Sequence, residues 1–445
     1  MDKRIVATFC AAALGFWVLM LGFGGTLPFA RQSGTAANAA ALAAMKSAEQ
    51  ESETLPAGIA AQTAAARPAA QDAQPNAPAG GVVTAPAQDA ALALPCEAAI
   101  LIDQTTGTVL YEKNADQKRP IASITKVMTL LLTFEAIHAG KIGYEDIVPV
   151  SEHAYSMGGS QIWLEPGEQF RLRELLKAVC VASANDAAVT IAEYVGGSEP
   201  GFVSQMNARA ASLGMTNTNF CNACGLDEAG HLSTARDVAV MSRTILNECP
   251  EVLEFTGIWT DSLRGGETQL VNTNKLLRHY SGITGLKTGT TGGAGVCISA
   301  SATRDGLSLI AVVLGAPSSA ERFAAATTLL DYGFASYEAA AVPPLADAPL
   351  ALAVKGGAQT DVLLDYSAVP ERLLLQKGQG KSLSAALALP ARLDAPVAAQ
   401  SEVGRVSIYS GETLLGEYPV KAAQSVEKLD VGGALRLLLE SLAET

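Results

Sequence analysis

From residue 95 onward the chain switches between two hydrophobic periods. Residues 98–113 read AAILID, a QTTG turn, then TVLYEK, the short apolar runs and central turn of a β-hairpin. Residues 296–315 repeat the pattern with VCISASA and LSLIAVVLG, joined at Arg304-Asp305-Gly306. Between the hairpins, apolar residues recur at three- and four-residue spacing. That spacing predicts helices over 123–138, 172–182, 186–195, 201–213 and 235–246, and a further one over 320–337. Strands at both ends of a region with a helical middle predict an α+β domain whose terminal segments pair in one antiparallel sheet. Its expected span is 94–340.

From about residue 345 the helical period is lost. Short apolar runs broken by Gly and Pro predict a small all-β domain over 345–430. The last stretch, 431–445, places Val431, Leu435, Leu438 and Leu442 on one face of a short terminal helix. It is short and acidic, which favours packing or fraying over a membrane-surface role.

The opposite end is different again. Residues 5–25 are almost uninterrupted apolar after Lys3 and Arg4. A helix of that length reaches about 32 Å, enough to cross a bilayer. Residues 1–30 therefore read as an uncleaved signal anchor, with a cleaved signal peptide as the alternative. Either predicts export. Residues 31–93, rich in Ala, Gln, Pro and Gly, read as a linker, with a reach of about 45 Å if flexible. The formal charge of -13 over 445 residues argues against a nucleic-acid partner. Seven cysteines are too few and too scattered for a disulfide scaffold, and Cys221-x-x-Cys224 lacks a second pair at zinc spacing.

Chemistry enters with IASITKVMTLLL, residues 121–132. Ser123 and Lys126 sit three apart at the start of a helix and so share a face. They could be a cap and a snorkelling lysine, or a nucleophile and its base. The spacing alone decides nothing, since Ser425 and Lys428 repeat it in a polar tail segment. Sixty residues later, VASANDAAV sets Ser183, Asn185 and Asp186 between two helices, where capping would explain them. ITGLKTGTTGG then presents Lys287, Thr288 and Gly289 on a strand before the second hairpin. Together the three elements, in this order, are the serine-lysine, Ser-x-Asn and Lys-Thr-Gly signature of penicillin-binding proteins and related β-lactamases.

Beyond those motifs, LEPGEQFRLRELLKAVCVASANDAA, GMTNTNFCNACGLDEAGHLSTARD, VNTNKLL and GITGLKTGTT resemble the serine-type D-alanyl-D-alanine carboxypeptidases. These are low-molecular-mass penicillin-binding proteins, an S11-like peptidase family. The segment ending GEYPVKAAQSVEKL resembles the small C-terminal domain that accompanies them, so the likeness covers about 95–430. It implies a β-lactamase/transpeptidase-like domain followed by a small all-β domain, and a hydrolase that removes the terminal D-alanine from peptidoglycan stem pentapeptides. Ser123 would attack the carbonyl between the two D-alanines and Lys126 would take its proton. Partial burial and the charge of Lys287 would lower the Lys126 pKa. Ser183 would pass a proton to the leaving amine, Asn185 would hold the substrate amide, and Lys287 and Thr288 would bind the terminal carboxylate. Gly289 would leave room for the substrate backbone, and the N–H groups of Ser123 and Thr290 would form the oxyanion hole. No cofactor or metal is implied. β-Lactams would be covalent inhibitors, and the site of action would be the outer face of the bacterial cytoplasmic membrane.

Three rival readings fit less of the chain. A class A-type β-lactamase needs a Glu in an E-x-x-L-N context, and residues 196–232 have none. A metallopeptidase would have to use His231 with Asp237, or Glu135-x-x-His138, in an order reversed from that family. A non-catalytic penicillin sensor would not require Ser123, Lys126 and Lys287 all intact. HLSTARD, residues 231–237, reads as a helix start capped by Thr234 and Asp237.

Overall fold

The computed structural model describes residues 92–433. The expected anchor at 1–30, nearly all of the linker at 31–93 and the terminal helix beyond residue 433 lie outside the described residues. Among those that are described, no helix is long and apolar enough to cross a membrane.

Both expected hairpins form, and they join. Strands β1 (Ala98–Asp103) and β2 (Val109–Lys113) pair antiparallel. The turn between them is held by the Asp103 carboxylate, which accepts from the N–H and hydroxyl of Thr106. Strands β3 (Ile283–Thr291), β4 (Gly295–Arg304) and β5 (Leu307–Ala316) form an antiparallel meander. β5 then pairs with β1, giving the sheet order β2-β1-β5-β4-β3. The two ends of the domain therefore close one sheet, as the pattern of terminal strands predicts.

Alternation along β1 shows how this sheet is buried. Ala98, Ile100 and Ile102 face one core, and Ala99 and Leu101 face a second. That is why AAILID has no polar face. The first core is made with helices α1 (Lys126–His138), α2 (Leu172–Val181), α3 (Asn185–Gly196), α4 (Glu199–Ser212) and α5 (Ala235–Glu248). The second is covered by α6 (Ser319–Ser336), through Ala325, Ala326, Leu329 and Leu330.

Several helix starts follow from capping hydroxyls: Ser198, Thr234 and Ser318 each accept a first-turn N–H, which is left without a helical partner. The first expected helix begins differently. Residues Ala122–Thr125 form a 3-10 turn, and the α-helix proper starts at Lys126.

The all-β region has its own apolar core, centred on Val362, Val406, Ile408, Tyr418 and Val420. Six strands pair around it, within Ala351–Ala422. The start of this region lies earlier than residue 345. Tyr337–Ala341 leaves α6 directly as a strand and pairs with Arg372–Gln376. The alternation in YEAAA is too weak to identify a strand, so its partner is what defines it.

Candidate active site

The turn carrying Ser123 is gripped by two glycines. Gly289, on β3, lies so close that a Cβ there would stand 2.8 Å from the Ile121 carbonyl oxygen and 3.0 Å from the Ser123 nitrogen. Gly225, at φ +85°, meets the same turn, and a side chain there would overlap the Ala122 carbonyl. Gly289 thus makes room for the backbone of the serine turn, a contact that its motif does not announce. The grip coincides with strain, since Ala122 has a left-handed φ of 49°. Ser123 is left half-exposed at the surface.

Lys126 lies one helical turn on and is completely buried. Its Nζ is 2.9 Å from Ser123 Oγ, 2.6 Å from Asn185 Oδ1 and 2.7 Å from the Cys224 carbonyl oxygen. The last two can only accept. The Asn185 amide is oriented by its other end, where Nδ2 donates to the Gly158 carbonyl at 2.6 Å. A neutral amine has two N–H bonds, and the two carbonyl oxygens occupy both. Its lone pair is then left facing the Ser123 hydroxyl, the geometry of a base poised to accept that proton.

The break between α2 and α3 supplies the next group. Ser183 is buried, with a left-handed φ of 61°, and Asn185 is the first residue of α3. Asp186, also buried, accepts the N–H groups of Ile162 and Leu164 and so ties the 156–168 loop to this helix. On β3, Lys287 donates to Ser183 Oγ at 2.8 Å and to the Thr288 carbonyl at 3.0 Å. The Thr288 hydroxyl is 2.6 Å from that of Thr273. Thr290 is exposed next to them. Ser123, Lys126, Ser183, Asn185, Lys287, Thr288, Gly289 and Thr290 thus come together in one site. It is built from the 3-10 turn and the start of α1, the break between α2 and α3 with the first residue of α3, and β3.

Burial sets the charges. It lowers the Lys126 pKa to about 8, and Cys224 and Asp186 oppose the shift only in part. The expected cause was partial burial helped by Lys287, but the burial is complete and dominates. Lys287 is pushed well below its ordinary value, first by burial and then by repulsion from Lys126. Each ammonium raises the cost of the other's charge in this dry site.

Several contributors carry no motif. The Cys224 carbonyl is a backbone atom, which no side-chain pattern announces. Arg322, on α6, reaches the carbonyls of Gly289 and Cys297 and so supports β3 from behind. Asp227 accepts from the Thr291 hydroxyl and the Gly293 N–H, holding the loop after β3. His231 is buried, and burial lowers its pKa to about 4, so it is neutral near pH 7. The Cys221 N–H donates to its Nδ1, which places the ring proton on Nε2, 2.8 Å from the Thr125 hydroxyl. HLSTARD is therefore more than a helix start. Thr234 does cap α5, but the Asp237 carboxylate bonds Asn217 and Thr218 instead of closing a capping box. Cys221 and Cys224 are free thiols.

Residues 83–318 match the D-alanyl-D-alanine carboxypeptidase family, and residues 351–428 match the C-terminal domain of penicillin-binding protein 5. The chain is 41% identical to the D-alanyl-D-alanine carboxypeptidase DacF of Bacillus subtilis, over 76% of this chain and 87% of that protein. It is 35% identical to DacC of Escherichia coli, over 78% and 86% respectively. Among solved structures, penicillin-binding protein 5 of Haemophilus influenzae superposes with a TM-score of 0.66 at 29% identity, covering 76% of this chain and 99% of its own. Penicillin-binding protein D2 of Listeria monocytogenes, solved with ampicillin bound, superposes with a TM-score of 0.51 at 34% identity, covering 55% and 99%. With this extent of likeness around a connected serine-lysine site, the chain belongs to the serine-type D-alanyl-D-alanine carboxypeptidases.

Proposed function

We propose that this carboxypeptidase uses Ser123 as nucleophile and Lys126 as general base on stem peptides ending in D-Ala-D-Ala. The observation that carries the reading is Lys126 Nζ, fully buried and 2.9 Å from Ser123 Oγ. Burial lowers its pKa to about 8, so that the neutral form whose lone pair faces the hydroxyl is accessible near neutral pH. Ser123 loses its proton to Lys126 Nζ and bonds to the carbonyl carbon of the penultimate D-alanine. The oxyanion that forms is held by the N–H groups of Ser123 and Thr290. As the C–N bond breaks, the Ser183 hydroxyl gives a proton to the leaving amine and is resupplied by Lys287, its hydrogen-bond donor. D-Alanine departs. Lys126 passes the Ser123 proton on to Lys287, which restores both amines. Water then attacks the acyl-enzyme, giving its proton to Lys126, which returns it to Ser123 Oγ as the ester bond breaks and the shortened peptide is released.

Lys287 and Thr288 bind the terminal carboxylate, and Asn185 holds the substrate amide. The incoming carboxylate restores the charge that burial and Lys126 take from Lys287, because an adjacent anion favours the ammonium. A β-lactam enters by the same acylation and stays on Ser123. The catalytic domain spans 94–340 and the small β domain 345–430, apart from the strand Tyr337–Ala341, which pairs with the β domain. Residues 1–30 hold or export the enzyme to the outer face of the cytoplasmic membrane, with 31–93 as its tether and 431–445 as a short terminal helix.

Intact-mass and peptide mapping after penicillin treatment test the assignment. The expected result is one adduct, on Ser123, lost in Ser123→Ala. An adduct on another residue would overturn it.

A further inference from the structure

We propose that His138, Cys249 and Glu251 form a binding site for a zinc-like divalent metal ion, separate from the catalytic serine. Their ligating atoms all lie within 4.8 Å of one another, and His138 Nε2 is already 2.5 Å from Glu251 Oε1. A tetrahedral ion with bonds of about 2.0–2.3 Å holds its ligand atoms about 3.3–3.8 Å apart. The two close atoms must part by roughly an ångström and the sulfur, within 4.8 Å of both, must approach by no more than about as much. The His138 and Glu251 side chains are 48% and 22% exposed, so both have the freedom to turn.

The backbone beneath them is fixed. His138 ends α1, Cys249 caps α5 by donating its N–H to the Ile245 carbonyl, and the Cys249 carbonyl closes a turn with the Val252 N–H. Three ligands therefore project from two anchored elements, which is what an ion needs in place before it arrives. Cys249 is fully buried and, among the described residues, its thiol makes no hydrogen bond. The His138–Glu251 contact does not call for a thiol beside it, whereas a zinc-like ion would use one as a third ligand.

The donor set names the ion. One imidazole nitrogen, one thiolate and one carboxylate oxygen suit zinc and its neighbours, and exclude the all-oxygen preference of calcium and magnesium. Water completes the fourth position, and the Cys249 proton passes to solvent as the sulfur binds. Glu135 and Glu248, both held by Arg209, add negative charge around the pocket. In the Glu135-x-x-His138 pair only the histidine is a ligand, since Glu135 is taken by Arg209. About 18 Å of helix separates His138 from Lys126, so the ion's role is to tie α1 to the end of α5.

Cobalt(II) titration of the metal-free, reduced full-length protein tests this. We expect one equivalent to bind, with a thiolate-to-cobalt charge-transfer band in the near ultraviolet that zinc erases. Cys249→Ser should abolish the band. His138→Ala, at a half-exposed position, should weaken binding at least about tenfold and serves as the second variant should Cys249→Ser not fold. Cys221→Ser should leave the band intact, and saturating zinc should leave D-alanine release unchanged. Absence of the band, or a band unchanged in both Cys249→Ser and His138→Ala, would overturn the assignment.

Discussion

Gly225 lies so close to Ala122, the residue before Ser123, that a Cβ there would overlap the Ala122 carbonyl oxygen. The contact leaves no space for even a methyl group, and the backbone of Gly225 is left-handed as well. The position of Ser123 thus depends on a residue that does no chemistry.

Gly225→Ala should therefore damage both stability and acylation. Backbone strain and overlap of this kind cost on the order of 2–3 kcal/mol. Urea denaturation should show that loss, and the surviving folded protein should acylate at least about tenfold more slowly with a chromogenic β-lactam. Wild-type acylation in a destabilised variant would separate the turn's stability from its chemistry and contradict the dependence.

Lys126→Gln keeps a polar, hydrogen-bonding side chain of slightly shorter reach but cannot act as a base. Loss of general-base catalysis should slow acylation about 10²–10⁴-fold, with a folded protein by thermal melt. Acylation within a few-fold of wild type would mean that another group takes the Ser123 proton.

The same lysine sets a pH dependence. With its pKa lowered to about 8, the neutral form is the minority at pH 7 and dominates above pH 9. Stopped-flow acylation rates should rise about tenfold per pH unit below 8 and level off above it. A profile flat between pH 6 and 9 would exclude Lys126 as the titrating base.

His231 makes a separate prediction, about stability. Its folded pKa is about 4, against 6.5 for the free side chain. Between those values the unfolded chain binds the proton and the folded one does not, so unfolding becomes easier as pH falls. The loss begins near pH 6.5, is complete below 4 and totals about 3 kcal/mol. His231→Gln can keep one hydrogen bond but does not titrate. Denaturation curves between pH 4 and 7 should show a shallower acid dependence in that variant, and an unchanged slope would assign the effect to other groups.

Most of the groups that the structure brings together at the candidate site were legible in the sequence because the chemistry proposed for them fixes residue types at short spacings: Ser123 with Lys126, Ser183 with Asn185, Lys287 with Thr288. The helices were legible for a related reason, since their one buried face imposes a period. Other features were hidden because their cause is tertiary. Lys126 finds the Cys224 carbonyl across 98 residues, and any residue type can offer a carbonyl. Arg322 reads as an ordinary helix-surface arginine until α6 is laid on the sheet beside β3. The motif marks Gly289 but cannot say that the backbone of the serine turn lies against it. The strand at Tyr337–Ala341 has meaning only through Arg372–Gln376.

The grip on Ser123 also orders events in time. The nucleophile leaves the ribosome long before the segments that seat it: Gly225 and β3 follow later, and the base reaches its carbonyl partner only after residue 224 has been made. A partly synthesised or truncated chain carries Ser123 and Lys126 without a cage around them. Covalent labelling by a fluorescent penicillin thus reports completed folding, not mere presence of the chain, and a pulse-labelled population should become penicillin-reactive only after its sheet has closed.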